Sequence, residues 1–570
     1  MIQKGIVAVS GKAIGKAFVL CGIPQITGEE KSRCEKEVVV QHIRKVIDSL
    51  AEIMEKNLYN SKKNINDMQK EIIEMQRTIL TDKVFYDNII CEVMKGYSPE
   101  AAVYRCVEKQ CKMLEALDDS YLAERVGDFR DVGERLICGL LGIEYPDLSN
   151  LDEEVIVTGE NIPPSLLADG DSSKICGLLM EKGSKTAHVC ILAANMGIPV
   201  LVGCKGLKEI ENREVVFLNA VEGYAKCAMS SEELIQAQQN VREYQKKVEE
   251  LQIYKKRPAV TKDGEKIELH ANIMDTGHLD QVIENGLDGI GLFRTEFLYM
   301  NRNTLPGEME QYAVYKNVVM KMAPHVVTIR TMDIGGDKEV ESLELPQEQN
   351  PFMGYRAIRI CLDRTDLFKT QLRAILRASI HGKIQMMFPM ISSMEELDCA
   401  LGILESVKEE LNKEGVAYDI NMPIGIMVEV PSTAVMSDAF IKKVDFFSIG
   451  SNDLTGYTIA VDRQNEKMEK LYDYFHPSVL KLIEITIKAC KDEGKSCSLC
   501  GEMAADPTAV PVLIGMGLRK FSVNSAAASR VKKELEKWDV DMAEKLVFQI
   551  KNLDSAVKIK DVLRRYKEVD

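Results

Sequence analysis

The sequence contains no apolar run of about 18 residues, the length that a helix needs to cross a bilayer, so we predict no transmembrane helix. Its N-terminal stretch is strand-like with glycine turns and lacks the features of a secretory signal peptide. The 73 lysines and arginines are outnumbered by 88 aspartates and glutamates, giving a net charge of −15. Nucleic acid is not expected as a partner, because binding a phosphate backbone needs a basic surface. We therefore expect a cytoplasmic protein without a membrane or nucleic-acid partner.

Neither a disulfide framework nor a zinc site is indicated. The 15 cysteines are scattered and odd in number, which in a large chain without a signal peptide favours reduced thiols. One CxxC motif, Cys497-Ser-Leu-Cys500, lacks the second pair that a structural zinc site usually needs. On a strand, residues three apart point to opposite faces, so these two thiols need not pair. We expect Cys497 to pack structurally.

The pattern of the 570-residue chain changes along its length, which indicates several domains. Short strands with glycine turns fill the beginning and return near Asp147, whereas the residues between show the three- and four-residue apolar spacing of amphipathic helices. We interpret 1–25 and 145–225 as one α/β domain with a helical domain, 26–144, inserted. Residues 226–260 fit a charged linker helix between domains.

Residues 261–570 alternate apolar strands with helical stretches. This alternation indicates parallel β/α architecture, and eight strands in about 300 residues predict a (β/α)8 barrel. The candidate strands are ELHANI (268–273), GIGLFR (289–294), VVTIRTMD (326–333), QMMFPMI (385–391), IGIMVEV (424–430), FFSIGSND (446–453), CSLCGE (497–502) and KFSVNS (520–525). The predicted fold class is thus a multidomain α/β protein with an inserted helical domain, a linker helix and a C-terminal barrel.

Polar side chains gather at the carboxyl ends of the candidate strands, where such barrels carry their chemistry. They are Arg294, Arg330, Glu429, Asn452, Asp453, Arg463 and Cys500. Arginines bind phosphate and carboxylate through paired hydrogen bonds, and two carboxylates with substrate oxygens and waters suit Mg²⁺. Polar residues at strand ends also meet solvent, and the acids could simply neutralise the arginines. The combination nevertheless favours a site for a small anionic substrate that carries phosphate and carboxylate.

Histidine is scarce, with seven in the chain, and one lies in EKGSKTAHVCILAANMGIPVLVG (181–203). His188 follows a polar turn and precedes an apolar helical run. Neutral imidazole is a nitrogen nucleophile, and at a helix N-terminus a phosphate on it would meet free backbone N–H groups and the positive end of the dipole. Lys185 can add a further positive charge. Taken alone, a histidine at a helix start is more often not catalytic.

Several long motifs resemble Enzyme I of the bacterial phosphoenolpyruvate-dependent sugar phosphotransferase system. They are YLAERVGDFRDVGERL (121–136), the histidine segment, NPFMGYRAIR (350–359), QLRAILRAS (371–379), FFSIGSNDLTGYTIAVDR (446–463) and LCGEMAAD (499–506). The resemblance covers the whole chain in the same domain order. It implies transfer of the phosphoryl group of phosphoenolpyruvate to the protein's own histidine and then to the carrier protein HPr, the first step of sugar uptake. It also implies HPr docking on 26–144 and a homodimer through the barrel domain.

The resemblance also implies roles for the matching residues. His188 takes the phosphoryl group, and Cys500 protonates the enolpyruvate carbon to leave pyruvate. The Mg²⁺ ligands are Glu429 and Asp453. Phosphoenolpyruvate is held by Arg294, Arg330, Arg463, Asn452 and the backbone of Asp453, with Arg356 and Lys338 as further cations on the phosphate side. Because one histidine serves two distant sites, we expect residues 1–225 to swivel about the linker.

The histidine turn departs from the usual GGRTSH of this family, since Ser184, Lys185 and Ala187 replace a glycine, an arginine and a serine. Gly456 stands where NDLTQY has glutamine. The residues expected to do chemistry are present, so we predict an active enzyme with a changed rate or carrier choice.

Two alternatives stay open. One is an ATP-using dikinase or synthase relative, for which no P-loop or comparable extra domain is visible. The other is a non-enzymatic paralogue that senses phosphoenolpyruvate, supported only by the altered turn.

Overall fold

The computed structural model describes two compact units, Met1–Val248 and Glu249–Asp570. The described residues are 2–20, 26–32, 34–59, 67–115, 120–143, 145–148, 151–171, 173–183, 188–300, 302, 304–336, 340–343, 345–346, 348–462, 465 and 468–568. Within these ranges, no helix combines the length and the apolar character that crossing a bilayer requires.

The first unit contains one eight-stranded sheet. Its strands are β1 (Ile2–Lys4), β2 (Ile6–Val9), β3 (Lys12–Val19), β4 (Val155–Gly159), β5 (Ile175–Met180), β6 (Val200–Val202), β7 (Val215–Asn219) and β8 (Tyr224–Lys226), in the order β1-β8-β7-β3-β4-β5-β6-β2. The strands from β3 to β6 run parallel, and the others pair antiparallel. Val157 packs into one core cluster and Ile156 into another, because neighbouring side chains of a strand point to opposite faces. Burial on both faces explains the largely apolar sequences of β4 to β7.

Five helices are inserted between β3 and β4. They are α1 (Lys36–Tyr59), α2 (Asp67–Thr81), α3 (Lys83–Met94), α4 (Pro99–Glu115) and α5 (Ser120–Leu141). Their apolar stripes form a separate core, with Ile43, Ile89, Val103 and Leu136 fully buried. The predicted helical insertion in an α/β fold is confirmed.

Three further helices complete the first part of the chain: α6 (Pro164–Asp169), α7 (His188–Asn195) and α8 (Ser231–Tyr254). Helix α8 begins with a capping box, in which the Ser230 hydroxyl accepts from the Glu233 N–H at 3.3 Å and the Ser230 N–H donates to the Glu233 carboxylate at 2.9 Å. Ala237 is its buried residue, which fits the charged, solvated helix that the sequence predicts.

The second unit is built around a closed barrel of eight parallel strands, which confirms the predicted (β/α)8 fold. The strands are β9 (Glu268–Ile273), β10 (Gly289–Phe293), β11 (Val326–Arg330), β12 (Ile384–Phe388), β13 (Ile424–Val428), β14 (Phe446–Ile449), β15 (Ser496–Leu499) and β16 (Lys520–Val523). The helices are α9 (Leu279–Glu284), α10 (Glu308–Met322), α11 (Ile358–Asp363), α12 (Thr365–Ala378), α13 (Met394–Glu414), α14 (Pro431–Val435), α15 (Ser437–Phe440), α16 (Ser451–Ile459), α17 (Pro477–Asp492), α18 (Val510–Gly515), α19 (Ala528–Leu535), α20 (Val540–Ile550) and α21 (Ala556–Glu568).

Several barrel strands end earlier than the apolar pattern predicts. The sixth was expected to run to Asp453, but β14 ends at Ile449 and α16 begins at Ser451 after the turn at Gly450. Asn452 and Asp453 therefore lie in the first turn of a helix rather than on a strand. Their backbone N–H groups belong to a helix N-terminus, which favours anions.

Candidate active site

A cavity of about 60 Å³ opens at the carboxyl ends of the barrel strands. The predicted residues that line it are Arg294, Arg330, Arg356, Glu429, Asn452, Asp453 and Cys500. The structure thus brings together seven of the nine barrel residues singled out in the sequence. The other two, Lys338 and Arg463, lie outside the described residues.

The guanidinium of Arg330 is fixed by two buried carboxylates. It pairs with Glu296, which follows β10, and its Nη1 lies 3.0 Å from Oδ2 of Asp333, which follows β11. These three side chains are at most 6% exposed. Such a pair of contacts sets both the position and the plane of the guanidinium.

Arg356 comes from the segment before α11 and reaches the same carboxylate. Its Nη2 lies 2.9 Å from Oδ1 of Asp333 and 3.5 Å from Oδ2 of Asp453, and its Nη1 donates to the Tyr457 hydroxyl at 3.2 Å. Gly335 permits this approach, because it has a φ of +101° and a Cβ there would stand 2.6 Å from the Cβ of Arg356.

The sequence places Glu296 and Asp333 at the carboxyl ends of barrel strands but gives neither residue a role, and it does not assign Tyr457 to the site. The ion pairs of the two acids with the arginines are what the structure adds. Tyr457 lies within α16, and no sequence signal pointed to it.

Each of the three arginines in the cavity has a buried N–H donor without a hydrogen-bond acceptor in the described part of the chain. The buried Nε atoms of Arg294, Arg330 and Arg356 have no hydrogen-bond partner there. Buried polar groups in folded proteins are almost always hydrogen-bonded, so these donors indicate a missing acceptor. An anionic ligand in the cavity would supply one.

Glu429 follows β13 and is 2% exposed. Burial, together with the charges of Asp453 and Asp333, raises its pKa to about 8, although two arginines oppose the shift. Its Oε1 accepts from the Met390 N–H at 2.7 Å, which orients the carboxyl group. Among the described residues no cluster of three or more His, Cys, Asp or Glu side chains forms a metal site.

Cys500 follows β15 and points into the barrel interior, where it packs with Leu292, Met387, Met427 and Phe446. The thiol donates to the Ile449 carbonyl at 3.5 Å. Burial raises the pKa of the thiol, while the nearby charges of Arg330 and Arg294 oppose the shift. The thiol is therefore protonated at neutral pH.

Comparison with known proteins supplies the family. A family model described as "PEP-utilising enzyme, PEP-binding domain" matches residues 228–540, "PEP-utilising enzyme, N-terminal" matches 4–125, and "PEP-utilising enzyme, mobile domain" matches 151–223. The phosphoenolpyruvate-protein phosphotransferase of Staphylococcus carnosus (strain TM300) is 36% identical over 99% of this chain and 98% of its own. That of Bacillus subtilis (strain 168) is 38% identical over 98% of both chains.

This chain belongs to the phosphoenolpyruvate-protein phosphotransferase family. The relatives are named as phosphotransferases, which are enzymes, so membership of this family favours an enzyme over the non-enzymatic paralogue. Among solved structures, an NMR solution structure described as Enzyme I is 26% identical, covers 43% of this chain and 99% of its own, and has a TM-score of 0.36.

The candidate histidine, His188, lies in the first unit. His188 is the first residue of α7, as the sequence predicts, and the residues after it, Val189 and Cys190, are buried. The altered positions Ser184, Lys185 and Ala187 lie outside the described residues. What the structure describes for His188 is its backbone position at a helix N-terminus.

A second cavity of about 340 Å³ shares Phe352, Asn452 and Asp453 with the first. Gly456, the position at which the sequence departs from the NDLTQY pattern, lines it together with Tyr457. A Cβ at Gly456 would meet only the Val461 carbonyl oxygen within 4 Å, at 3.2 Å. The glycine therefore leaves this cavity wider than a longer side chain would.

Proposed function

We propose that this enzyme transfers the phosphoryl group of phosphoenolpyruvate to its own His188, releases pyruvate, and passes the phosphoryl group to the carrier protein HPr as the first step of sugar uptake. The observation that carries the proposal is one cavity that combines three arginines with unsatisfied buried donors, two carboxylates and a protonated thiol. Full-length similarity to named phosphotransferases supports it.

The arginines would bind the substrate's phosphate and carboxylate. Arg294, Arg330 and Arg356 offer fork-shaped donors, two of them held in place by Asp333. Asn452 lines the same cavity and can add an amide donor. Arg463 and Lys338 remain proposed cations on the phosphate side.

The carboxylates Glu429 and Asp453 fit a divalent cation. The pKa of Glu429 is raised partly because Asp453 carries a like charge nearby, and a cation between them would relieve that repulsion. We propose that these two residues hold Mg²⁺ with substrate oxygens and waters. When bound, the ion supplies positive charge next to the transferring phosphoryl group and the enolate oxygen.

Cys500 would complete the first reaction. The P–O bond of phosphoenolpyruvate breaks as a nitrogen of His188 bonds to phosphorus, and the electron pair stays with the enolate. The Cys500 S–H then gives its proton to the methylene carbon, which yields pyruvate. The thiolate that remains is stabilised by the charges of Arg330 and Arg294, which already lower its pKa.

The second step needs a partner and a movement. We propose that HPr docks on the inserted helices of 26–144, and that 1–25 with 145–225 forms the phosphohistidine domain. This part would swivel about the 226–260 linker between the 261–570 barrel and HPr. Phosphate on His188 would be stabilised by the N-terminus of α7. A homodimer through the barrel completes the proposal.

The test incubates the purified protein with ³²P-labelled phosphoenolpyruvate and Mg²⁺, then adds HPr. We expect acid-labile, base-stable label on the wild type and transfer of that label to HPr. His188→Ala should take no label, whereas the matched control His278→Ala, an exposed histidine in the barrel unit, should behave as wild type. Absence of label on the wild type would refute the proposal. Label that requires ATP would instead support the dikinase alternative.

A further inference from the structure

The backbone of Cys500 is held at both ends of the residue. Its N–H donates to the Ile449 carbonyl at 3.0 Å, the bond that continues the pairing of β14 with β15. Its carbonyl accepts from Nδ2 of Asn272 at 2.9 Å. Asn272 belongs to β9, which is not a neighbour of β15, because β16 lies between them. A side chain, rather than a strand pairing, therefore makes the second attachment.

Asn272 is itself fixed by β16. Its Nδ2 also donates to the Ser522 carbonyl at 3.1 Å, and its Oδ1 accepts from the Ser522 hydroxyl at 2.6 Å. The Ser522 side chain is fully buried, and Gly291 on β10 leaves the space for it. A Cβ at Gly291 would stand 2.4 Å from Oγ of Ser522. These contacts allow the amide little freedom to rotate.

We propose that Asn272, oriented by Ser522, is a positioning residue that aims the Cys500 thiol at the enolpyruvate carbon. This inference rests on the proposed role of Cys500 as the proton donor. Asn272 does not line the substrate cavity, so it acts through the Cys500 backbone rather than by touching substrate. Fixing the peptide groups on both sides of Cα fixes the direction of the Cα–Cβ bond, and with it the face of the enolate that receives the proton.

The decisive readout is the face of protonation. Phosphoenolpyruvate with stereospecific hydrogen isotopes at its methylene carbon is converted in isotopic water, and the chirality of the pyruvate methyl group is measured. An aligned thiol delivers its proton to one face. A misaligned thiol lets enolpyruvate escape and take a proton from water on either face. A purely structural defect would lower the fraction of active protein without changing the stereochemistry of its product.

Three variants test the idea. Asn272→Ala and Asn272→Asp both remove the donor to the Cys500 carbonyl, and the second keeps the side-chain size. We expect both to form pyruvate roughly tenfold to a hundredfold more slowly with largely lost face selectivity, while the KM for phosphoenolpyruvate stays within about twofold. Ser522→Ala removes only the hydroxyl that orients Asn272 and should shift both quantities the same way by a smaller factor.

Asn524→Ala is the matched control. Asn524 follows β16, and its side chain accepts from the Ala527 N–H at 2.9 Å rather than bonding to the Cys500 backbone. It should keep wild-type stereochemistry. Full face selectivity and rate in the folded Asn272→Asp or Ser522→Ala protein would overturn the inference.

The failure of the proposed function looks different. If Cys500→Ser keeps the wild-type stereochemistry and rate, or if wild type forms no phosphohistidine, the proposed chemistry itself is wrong, whatever the Asn272 variants do. A different result would reject only the positioning role. In that case wild type protonates one face in a Cys500-dependent way, and the Asn272 variants keep the same rate and face selectivity.

Discussion

Glu134 on α5 should make the first unit less stable as the pH rises. Burial, and then the charge of Asp131, raise the pKa of Glu134 from 4.5 to about 7, while Arg130 opposes the shift. Between these two pH values the native state keeps a proton that the unfolded chain has released. The free energy of unfolding therefore falls as the pH rises from 4.5 through 7. The full loss above pH 7 corresponds to about 3 kcal/mol.

Replacing the carboxyl by an amide removes this cost. Glu134→Gln stays neutral at every pH, so we expect it to be more stable than wild type at pH 8 by roughly 1–3 kcal/mol, less than the full amount because a buried amide also loses water. Below pH 5 the two proteins should be similar. The curve of stability against pH should be flatter for the variant between pH 5 and 7.5.

Urea unfolding can separate the two units. The only tryptophan, Trp538, is 4% exposed in the barrel unit, so its fluorescence reports that unit, while circular dichroism follows the helices of both. At pH 8, Glu134→Gln should raise the urea midpoint of the dichroism transition that belongs to the first unit. The midpoint of the fluorescence transition, which belongs to the barrel unit, should stay the same. Glu52→Gln is the control: this exposed acid on α1 has its pKa lowered by Lys56, so it is already ionised above pH 5 and the profile from pH 5 to 8 should keep its shape. Parallel stability curves for Glu134→Gln and wild type from pH 5 to 8 would refute the reasoning.

Three further substitutions follow from the described contacts. Asp131→Ala removes the acceptor of three hydrogen bonds and one ion-pair partner of the buried Arg135 guanidinium, so the first unit should lose about 3–5 kcal/mol in urea unfolding. A loss below about 1 kcal/mol would contradict this. Lys532→Met removes an ammonium that donates to three backbone carbonyls at 2.8–3.0 Å. The free energy of unfolding of the barrel unit, followed by fluorescence, should fall by about 2–4 kcal/mol. An unchanged midpoint would contradict this and would mean that water replaces the ammonium fully. Arg356→Lys keeps the charge but loses the fork, and kcat/KM for phosphoenolpyruvate should fall at least about tenfold, whereas the exposed control Arg364→Lys should match wild type.

Much of the architecture could be predicted because it depends on local pattern. The eight barrel strands were found from apolar runs between helical stretches, since strands buried on both faces must be apolar throughout. The position of His188 at the start of α7 followed from a polar turn before an apolar run. The extent of the strands was harder, because β14 gives way to α16 at Gly450 and an apolar pattern does not show that change.

The candidate site was predictable in membership but not in arrangement. Residues at the carboxyl ends of parallel strands must meet at one end of a barrel, which brings Arg294, Arg330, Glu429, Asn452, Asp453 and Cys500 to one cavity. Arg356, which lines the same cavity, was assigned from the family resemblance alone. The sharing of Asp333 between Arg330 and Arg356 was not predicted, because each contact joins different loops. The contact of Asn272 with the Cys500 carbonyl spans 228 residues of sequence and had no local signal.

The order of residues by itself determined which segments become strands or helices, that eight of the strands close into a barrel, and which side chains stand at its mouth. These features arise from periodicity and from turn residues, which act over a few positions. Only the tertiary structure decided which charges pair, and only burial in that structure raises the pKa of the Cys500 thiol and of the Glu429 carboxyl group. Those properties depend on burial and on distances through space between residues far apart in the chain, and a linear pattern carries neither.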